Sequence, residues 1–405
     1  MSAQEQIQIR KQKGLEIAKT GKVKLNGNKW VVPSQSLNKY YDVILRLDKS
    51  ECNCPDFSER GMKCKHIFAV EITVSKSYNP DGSVSVTKTK RITYPQEWST
   101  YNKAQTSELK LFDELLVDLL KEIAEPAYTF GRPKQPIKEQ LFCSIIKVYS
   151  QLSSRRVSTL YGYATERGFI GHKPHFNVVT KLLNREDITP LLKELVAKTA
   201  LPLSTVETDF AIDSSGFRTT SFNAYCKDKH NTKQSHEWLK AHICIGTKTN
   251  VITSVVIGDE HSADSPQFIP LVKDTHDKGF SMREISADKA YISRDNLDAV
   301  ADLGGIAYIP FKVNASQHGY GGRVWNKMYY YFKLCNDEFM EHYHKRSNVE
   351  TTFSAIKKKL GETLKSKNRT AQINELLCKI IAYNITVLIQ EIHELDIKPN
   401  FVTGV

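Results

Sequence analysis

No run of about 18 consecutive apolar residues occurs in the 405-residue chain, so no membrane-spanning helix is expected. The opening residues, MSAQEQIQIRKQKG, are polar and lack an apolar h-region, which argues against a secretory signal. A reducing, cytoplasmic compartment is therefore expected, where the eight cysteines serve as free thiols or metal ligands rather than disulfides. No internal repeat with a period of roughly 20–50 residues is evident, which excludes a solenoid or propeller. Negative charge is also in deficit: 57 Lys and Arg face 45 Asp and Glu, for a formal net charge of +12. That excess favours a polyanionic partner, although a merely soluble basic protein has the same composition. Hydrophobic residues make up 40% and charged residues 25%, enough for a large core, and the length suggests two or three domains.

Along the chain, residues 5–20 read as a short basic helix, and 22–48 alternate with period two around an Asn26-Gly27 turn signal, which predicts strands and hairpins. Residues 76–100, rich in Ser, Thr, Lys and Pro, read as a linker or exposed arm. From 107 to 200 the spacing becomes helical, beginning with LKLFDELLVDLLKEIA and IKEQLFCSIIKVYSQL. Its short helices, tight breaks and the nearby Arg155, Arg156 and Lys181 fit either a helix-turn-helix-like module or a helical spacer. From 205 onward strands and helices alternate, with strands expected at 207–213, 217–226, 239–257 (a bent or paired stretch), 283–287 and 305–311. Helices are expected near 266–278 and 293–303, then a long helical region from about 337 and a last helix over 371–394.

Three carboxylates stand out in this basic chain. Asp213 ends the apolar run TDFAIDSSGF, Asp288 ends REISADKAY, and Glu350 lies in YHKRSNVETTFSAIKKKL. Carboxylates at strand ends project into a cleft and are the hard oxygen ligands that hold a pair of Mg²⁺ ions, which are about 3.5–4 Å apart in two-metal phosphoryl transfer. Alone, each is ordinary: an Asp after a strand is commonly a turn or N-cap residue, Asp209 competes with Asp213 on the same strand face, and Ser214-Ser215-Gly216 has the composition of a turn. Glu350, however, shares a helical stripe with Tyr343, Arg346 and Lys357, a poor core face and a good one for a phosphate backbone beside a metal.

The spacing Tyr-x2-Arg-x3-Glu-x6-Lys at 343–357 resembles, without a gap, the signature of bacterial and archaeal insertion-sequence DDE transposases. IDSSGF and ADKAYIS are similar to that group's first and second Asp blocks, and LLCKIIAYNITVLI, with Asn384, to its closing helix. The resemblance covers about 130–395. It implies a ribonuclease-H-like fold and DNA strand transfer. It also implies Asp213, Asp288 and Glu350 as ligands of two Mg²⁺ (or Mn²⁺) ions, and Tyr343, Arg346 and Lys357 as contacts to transposon-end DNA. His261 and Asp264, in HSADSPQF, take a supporting role, and the helical region 130–200 corresponds to a part thought to grip DNA ends. A prokaryotic, nucleoid-associated setting and action as a homodimer on double-stranded transposon ends and target follow by the same analogy. Some relatives carry a large β-rich insertion between the second Asp and the Glu; here that interval holds only a strand, a helix and the loop SQHGYGGRVWNK. Trp325 in that interval either stacks on an extruded base or packs against Tyr329–Tyr331.

Near the N-terminus, ECNCPDFSERGMKCKHIFAV gathers Cys52, Cys54, Cys64 and His66, a set suited to one closed tetrahedral Zn²⁺ site. Reactive or redox thiols are the rival reading, but the cysteines at 143, 226, 244, 335 and 378 show no such pairing. Cys-x-His begins an apolar helix, giving a ββα shape in which the metal supplies much of the folding energy. Cys-x-Cys-x9-Cys-x-His, preceded by YYDVILRL, resembles the SWIM-type zinc finger over about 38–72.

The expected architecture is α/β: a ribonuclease-H-like mixed sheet with flanking helices at 204–396, a helical DNA-binding region at 129–203, a linker and helix at 76–128, and a ββα zinc module at 1–75. An active transposase is the leading function. A domesticated, non-catalytic DNA-binding regulator and an ordinary nuclease on the same fold are the alternatives.

Overall fold

In the computed structural model the described residues are 3–20, 22–26, 29–35, 39–44, 50–78, 84–86, 97–127, 130, 135–219, 238–316 and 322–401. Contacts divide the chain into two units, Met1–Pro95 and Gln96–Val405.

In the first unit, helix α1 (Ala3–Lys19) precedes a four-stranded antiparallel sheet in the order β1 (Lys24–Asn26), β2 (Lys29–Pro33), β3 (Tyr40–Ile44) and β4 (Glu51–Cys52). Helix α2 (Pro55–Arg60) and helix α3 (Lys65–Ser75) follow. Ile17, Val32, Val43, Ile67 and Val70 form a small core between α1, the sheet and α3. The close approach of α1 to α3 depends on Gly14, where a Cβ would lie 2.7 Å from Phe68 Cβ and 2.9 Å from the Lys65 carbonyl oxygen. Within the segment read as a linker or exposed arm, β5 (Lys76–Tyr78) pairs antiparallel with β6 (Val84–Val86), and residues 79–83 and 87–96 lie outside the described residues.

The second unit starts with helices α4 (Trp98–Leu120), α5 (Ile137–Ser150), α6 (Ser158–Glu166), α7 (Asn177–Leu183) and α8 (Ile188–Ala200). A five-stranded sheet is built from β7 (Asp209–Arg218), β8 (Trp238–Gly246), β9 (Ile252–Asp259), β10 (Glu284–Ala287) and β11 (Ile306–Tyr308). Its order is β11-β10-β7-β8-β9; β10 runs parallel to both β7 and β11, whereas β8 is antiparallel to its neighbours. This is the mixed sheet expected, flanked by α9 (Ser265–Asp277), α10 (Arg294–Asp302), α11 (Trp325–Leu334), α12 (Asn336–Tyr343), α13 (Ser347–Leu360) and α14 (Arg369–Glu394).

Several local expectations change. Ser214-Ser215-Gly216 is not a turn, because β7 runs unbroken through it. Gly216 is there for space: a Cβ would lie 2.9 Å from the Trp238 ring on β8. The strand expected over 217–226 ends at Arg218 as part of β7, and residues 220–226 lie outside the described residues. The stretch at 239–257, by contrast, is paired as expected: two strands joined by a tight turn, whose backbone amides at Lys248 and Thr249 are bound by the buried carboxylate of Glu207 at 3.1 and 2.6 Å.

Helix α14 is long and apolar enough, by length and composition, to resemble a membrane span, but 83% of that window is buried inside the protein. It is the core helix of the unit. Its Asn384 amide reads both backbone groups of Ile252, accepting from its N–H at 2.9 Å and donating to its C=O at 2.8 Å. This covers the free edge of β9, which would otherwise expose unpaired groups.

Candidate active site and zinc centre

Side chains alternate along β7, and the two faces do different work. Residues 213, 215 and 217 face α13: Asp213 meets Arg346, Ser215 accepts from Lys357 Nζ at 2.7 Å, and Phe217 lies 6.3 Å from the Phe353 ring. Residues 210 and 214 face the opposite layer, where Phe210 packs edge-on to Phe280 and Ser214 Oγ donates to Asp264 Oδ1 at 2.9 Å.

Asp213 and Asp288 are brought together by strand register. Ile212 pairs with Ala287, the last pair of the parallel β7–β10 ladder, so Asp213 and Asp288 each directly follow one member of that pair. Asp288 also caps the 3₁₀ turn Lys289–Tyr291, accepting from the Ala290 N–H at 2.9 Å. Glu350 comes from the first turn of α13, crossing β7. Burial pushes the Asp213 carboxyl above the usual carboxylate range; the Ser214 amide and Arg346 pull it down, and the Asp288 and Glu350 charges push it up. That last pair of influences puts all three carboxylates in one electrostatic neighbourhood.

The basic stripe is not one α-helix. Helix α12 ends at Tyr343, a 3₁₀ turn covers His344–Arg346, and α13 starts at Ser347. The break still leaves Arg346, Glu350 and Lys357 turned toward β7. Arg346 Nη1 donates to Asp213 Oδ2, and its Nη2 donates to Glu350 Oε1 at 2.5 Å. Its guanidinium lies 6.0 Å from the Tyr343 ring, whose hydroxyl is pushed up by burial. Lys357 lies 5.2 Å over the Phe217 ring, and burial lowers its ammonium from the ordinary value. A cleft of about 480 Å³ runs beside these groups, lined by Asp213, Ser215, Glu350, Ser354, Lys357 and Lys358.

The competitor Asp209 has another job. Its carboxylate accepts from Arg283 Nε and Nη2 at 2.8 Å each and from Lys345 Nζ at 2.7 Å. Burial alone would raise it, but these hydrogen bonds win and hold it below the usual range. Lys345 also reaches Glu284 at 2.7 Å, pinning the 3₁₀ turn to the sheet.

Behind the Asp-bearing segments lies a polar cluster that reading the sequence did not assemble. Asp264 accepts from Ser214 and pairs with Lys240 at 2.8 Å; the buried His242 lies 3.5 Å from Asp264 and 3.3 Å from the Tyr291 hydroxyl. Burial drives His242 down to about 4, so the ring is neutral near pH 7, with Asp264 opposing. Ser214 follows Asp213 and Tyr291 follows Asp288 by one short turn, so the cluster ties the two segments together. The one available signal was polar residues at period two in an otherwise apolar strand, Lys240 and His242. The supporting role expected of His261 has no counterpart, because its side chain is 90% exposed and meets only Glu260 among the described residues. Trp325 packs edge-on to Phe311 at 4.8 Å with the Arg294 guanidinium 5.1 Å from its ring, and its Nε1 donates to the Ser316 carbonyl at 3.1 Å. Arg155, Arg156 and Lys181 are exposed on the helical layer, with the Arg155 guanidinium 5.4 Å from the Phe176 ring.

In the first unit, Cys52, Cys54, Cys64 and His66 bring four ligand atoms within 4.8 Å of one another, and all four residues are buried. Cys52 ends β4, Cys54 caps α2 in extended conformation, and Cys64 and His66 flank the start of α3. His66 Nδ1 faces the thiols, 3.9 Å from Cys52 Sγ and 3.8 Å from Cys64 Sγ, so this nitrogen is the metal-facing one. Three thiols and an imidazole at this spacing fit one tetrahedral Zn²⁺.

Residues 204–385 match the family model described as a transposase DDE domain, and residues 40–75 match the SWIM zinc finger. Among solved structures, the chain is similar to a piggyBac transposase in a synaptic complex with hairpin DNA, at 11% identity and a TM-score of 0.34, with 77% of this chain and 78% of that chain covered.

Proposed function

We propose, from the premise that this chain carries a transposase DDE domain behind a SWIM zinc finger, that it binds transposon ends and catalyses metal-dependent DNA cleavage and strand transfer. The observation that carries the proposal is the placing of Asp213, in the middle of β7, beside the end of the parallel strand β10 that Asp288 follows, with Glu350 on α13 in the same electrostatic neighbourhood.

Three neighbouring carboxylates, with that of Asp213 raised, call for cationic neutralisation, and their oxygens suit Mg²⁺ or Mn²⁺. Bound divalent ions would activate an attacking oxygen and stabilise the leaving one. The chain's own groups do the rest. Asp213 and Asp288 are fixed by the sheet ladder and by amide hydrogen bonds from Ser214 and Ala290, so the ligand oxygens need little reorganisation. Tyr343, Arg346 and Lys357 line the approach and supply the contacts to the DNA backbone. In the first step water cuts the transposon end to leave a 3′-hydroxyl; in the second that hydroxyl attacks target DNA in line. Residues 129–203, with exposed Arg155, Arg156 and Lys181, grip the ends, and residues 204–396 carry the chemistry. The zinc module at 1–75 is structural, and the protein acts on two ends as a homodimer.

The test is a cleavage and joining assay on DNA carrying the terminal repeats that flank the gene, with and without Mg²⁺. Asp213→Ala, Asp288→Ala and Glu350→Ala should each abolish cleavage while end binding persists. A non-catalytic regulator would bind without cutting, and a plain nuclease would cut without joining. Mg²⁺-dependent nicking that survives Glu350→Ala would refute the role of that residue.

A further inference from the structure

We infer that Arg346 and divalent cations compete for the same oxygens of Asp213 and Glu350, so that metal loads as the guanidinium moves onto a DNA phosphate. The inference rests on the proposed function and concerns how that same site is regulated.

Both oxygens of Asp213 are engaged. Oδ1 accepts from the Ser214 N–H at 2.8 Å, and Oδ2 accepts from Arg346 Nη1. The other arm of the same guanidinium holds Glu350 Oε1 at 2.5 Å, so one planar fork spans two of the three carboxylates. The side chains of Arg346 and Asp213 are only 18% and 19% exposed, against 61% for Glu350. The Asp213 end is therefore the firm half of the bridge, and Glu350 is free to exchange with water. A cation on Asp213 Oδ2 meets the Arg346 guanidinium already seated there, whose like charge opposes it, and the Ser214 amide occupies one acceptor site of the other oxygen.

An arginine cannot give way by losing its proton. It can leave only by exchanging these carboxylates for another anion, and a phosphate offers the same two-point geometry. Arg346 sits at the end of a 3₁₀ turn between two helices, with the Tyr343 ring 6.0 Å away and Glu350 one helical turn on. Swinging the side chain off the carboxylates breaks no backbone hydrogen bond. Linkage then works in both directions: DNA that draws Arg346 away raises metal affinity, and metal raises affinity for the DNA backbone by the same factor. The consequence is a site that loads metal poorly until DNA is in place, which limits stray nicking.

The test titrates Mn²⁺ into the zinc-loaded full chain, reading free Mn²⁺ by electron paramagnetic resonance, with and without a short mixed-sequence DNA duplex. Circular dichroism and zinc content verify each variant's folding. Without DNA, Arg346→Gln should bind Mn²⁺ about tenfold more tightly than the wild type, one charge-assisted hydrogen bond's worth. Arg346→Lys, which keeps the charge and loses the fork, should show part of that gain. The duplex should tighten Mn²⁺ binding in the wild type and leave Arg346→Gln unchanged. Equal or weaker Mn²⁺ binding in Arg346→Gln overturns the competition. Tightening in Arg346→Gln with none in Arg346→Lys reduces the effect to net charge and overturns the exchange. Mn²⁺ binding that survives Asp213→Asn in the Arg346→Gln background sinks the metal assignment itself, and this inference with it.

Discussion

Asn384 offers the sharpest test of how the catalytic sheet is held. The residue is fully buried on α14 and makes paired hydrogen bonds to Ile252 on the edge strand β9, at 2.9 and 2.8 Å, with a third to Thr199 Oγ1 at 2.9 Å. Asn384→Leu is nearly isosteric and can neither donate nor accept. It strands the Ile252 N–H and C=O in the core, each costing about 1–3 kcal/mol. Thr199 loses little, because its hydroxyl still donates to the Val196 carbonyl at 2.6 Å. Added apolar burial returns roughly 1 kcal/mol. The net expectation is a loss of about 1–5 kcal/mol, centred near 3. Urea denaturation of the second unit's transition measures it, and hydrogen exchange of a peptide spanning 251–259 localises it. A loss below about 0.5 kcal/mol, or unchanged protection of the Ile252 amide, would show that the edge is closed by packing and that the amide is incidental.

Three further outcomes follow from other parts of the structure. Glu391 is buried and its carboxyl is pushed up to about 7 by that burial, with Glu394 and Glu207 adding to it. Because the folded value lies above the unfolded value of about 4.5, the folded state holds the proton more tightly; this stability is complete below pH 4.5 and lost as pH rises through 7. Glu391→Gln should therefore match the wild type at pH 4.5 and exceed it at pH 8 by at most about 3 kcal/mol, and thermal denaturation curves that differ equally at both pH values count against this. Stripping zinc from the full chain should unfold the region around α3, at a metal-linked cost of order 10 kcal/mol, while β7 keeps its exchange protection; an α3 equally protected without zinc removes the structural role of the site. Tyr291→Phe deletes the hydroxyl 3.3 Å from His242 and should slow cleavage roughly tenfold with DNA binding unchanged, whereas a wild-type rate would dismiss the cluster as a positioning device.

Much of this arrangement is legible in the chain because its chemistry is local. Period-two alternation located β2 and β3, and helical spacing located α4, α5 and α14. The zinc ligands were legible because they span one short stretch, and a few bonds of backbone bring Cys52, Cys54, Cys64 and His66 together. Where local composition and tertiary context disagreed, context won. Ser214-Ser215-Gly216 has turn chemistry, yet β7 continues because its ladder to β8 supplies the hydrogen bonds and Trp238 fills the space above Gly216. The stripe at 343–357 has uninterrupted helical spacing, yet it tightens to a 3₁₀ turn where Lys345 reaches back to Asp209 and Glu284.

The chain by itself determined which groups are available: three carboxylates, a basic stripe, and a compact set of thiols with one imidazole. Only the tertiary structure decided their partners. Asp209 and Asp213 are the same residue type on the same strand face, four positions apart. The β7–β10 register gives Arg283 to the first, and the crossing of α13 gives Arg346 to the second. Coulomb attraction and hydrogen bonding act over a few ångströms in space and are blind to separation along the chain. The choice between two like carboxylates is therefore made when strands and helices dock, beyond the reach of either residue's sequence neighbours.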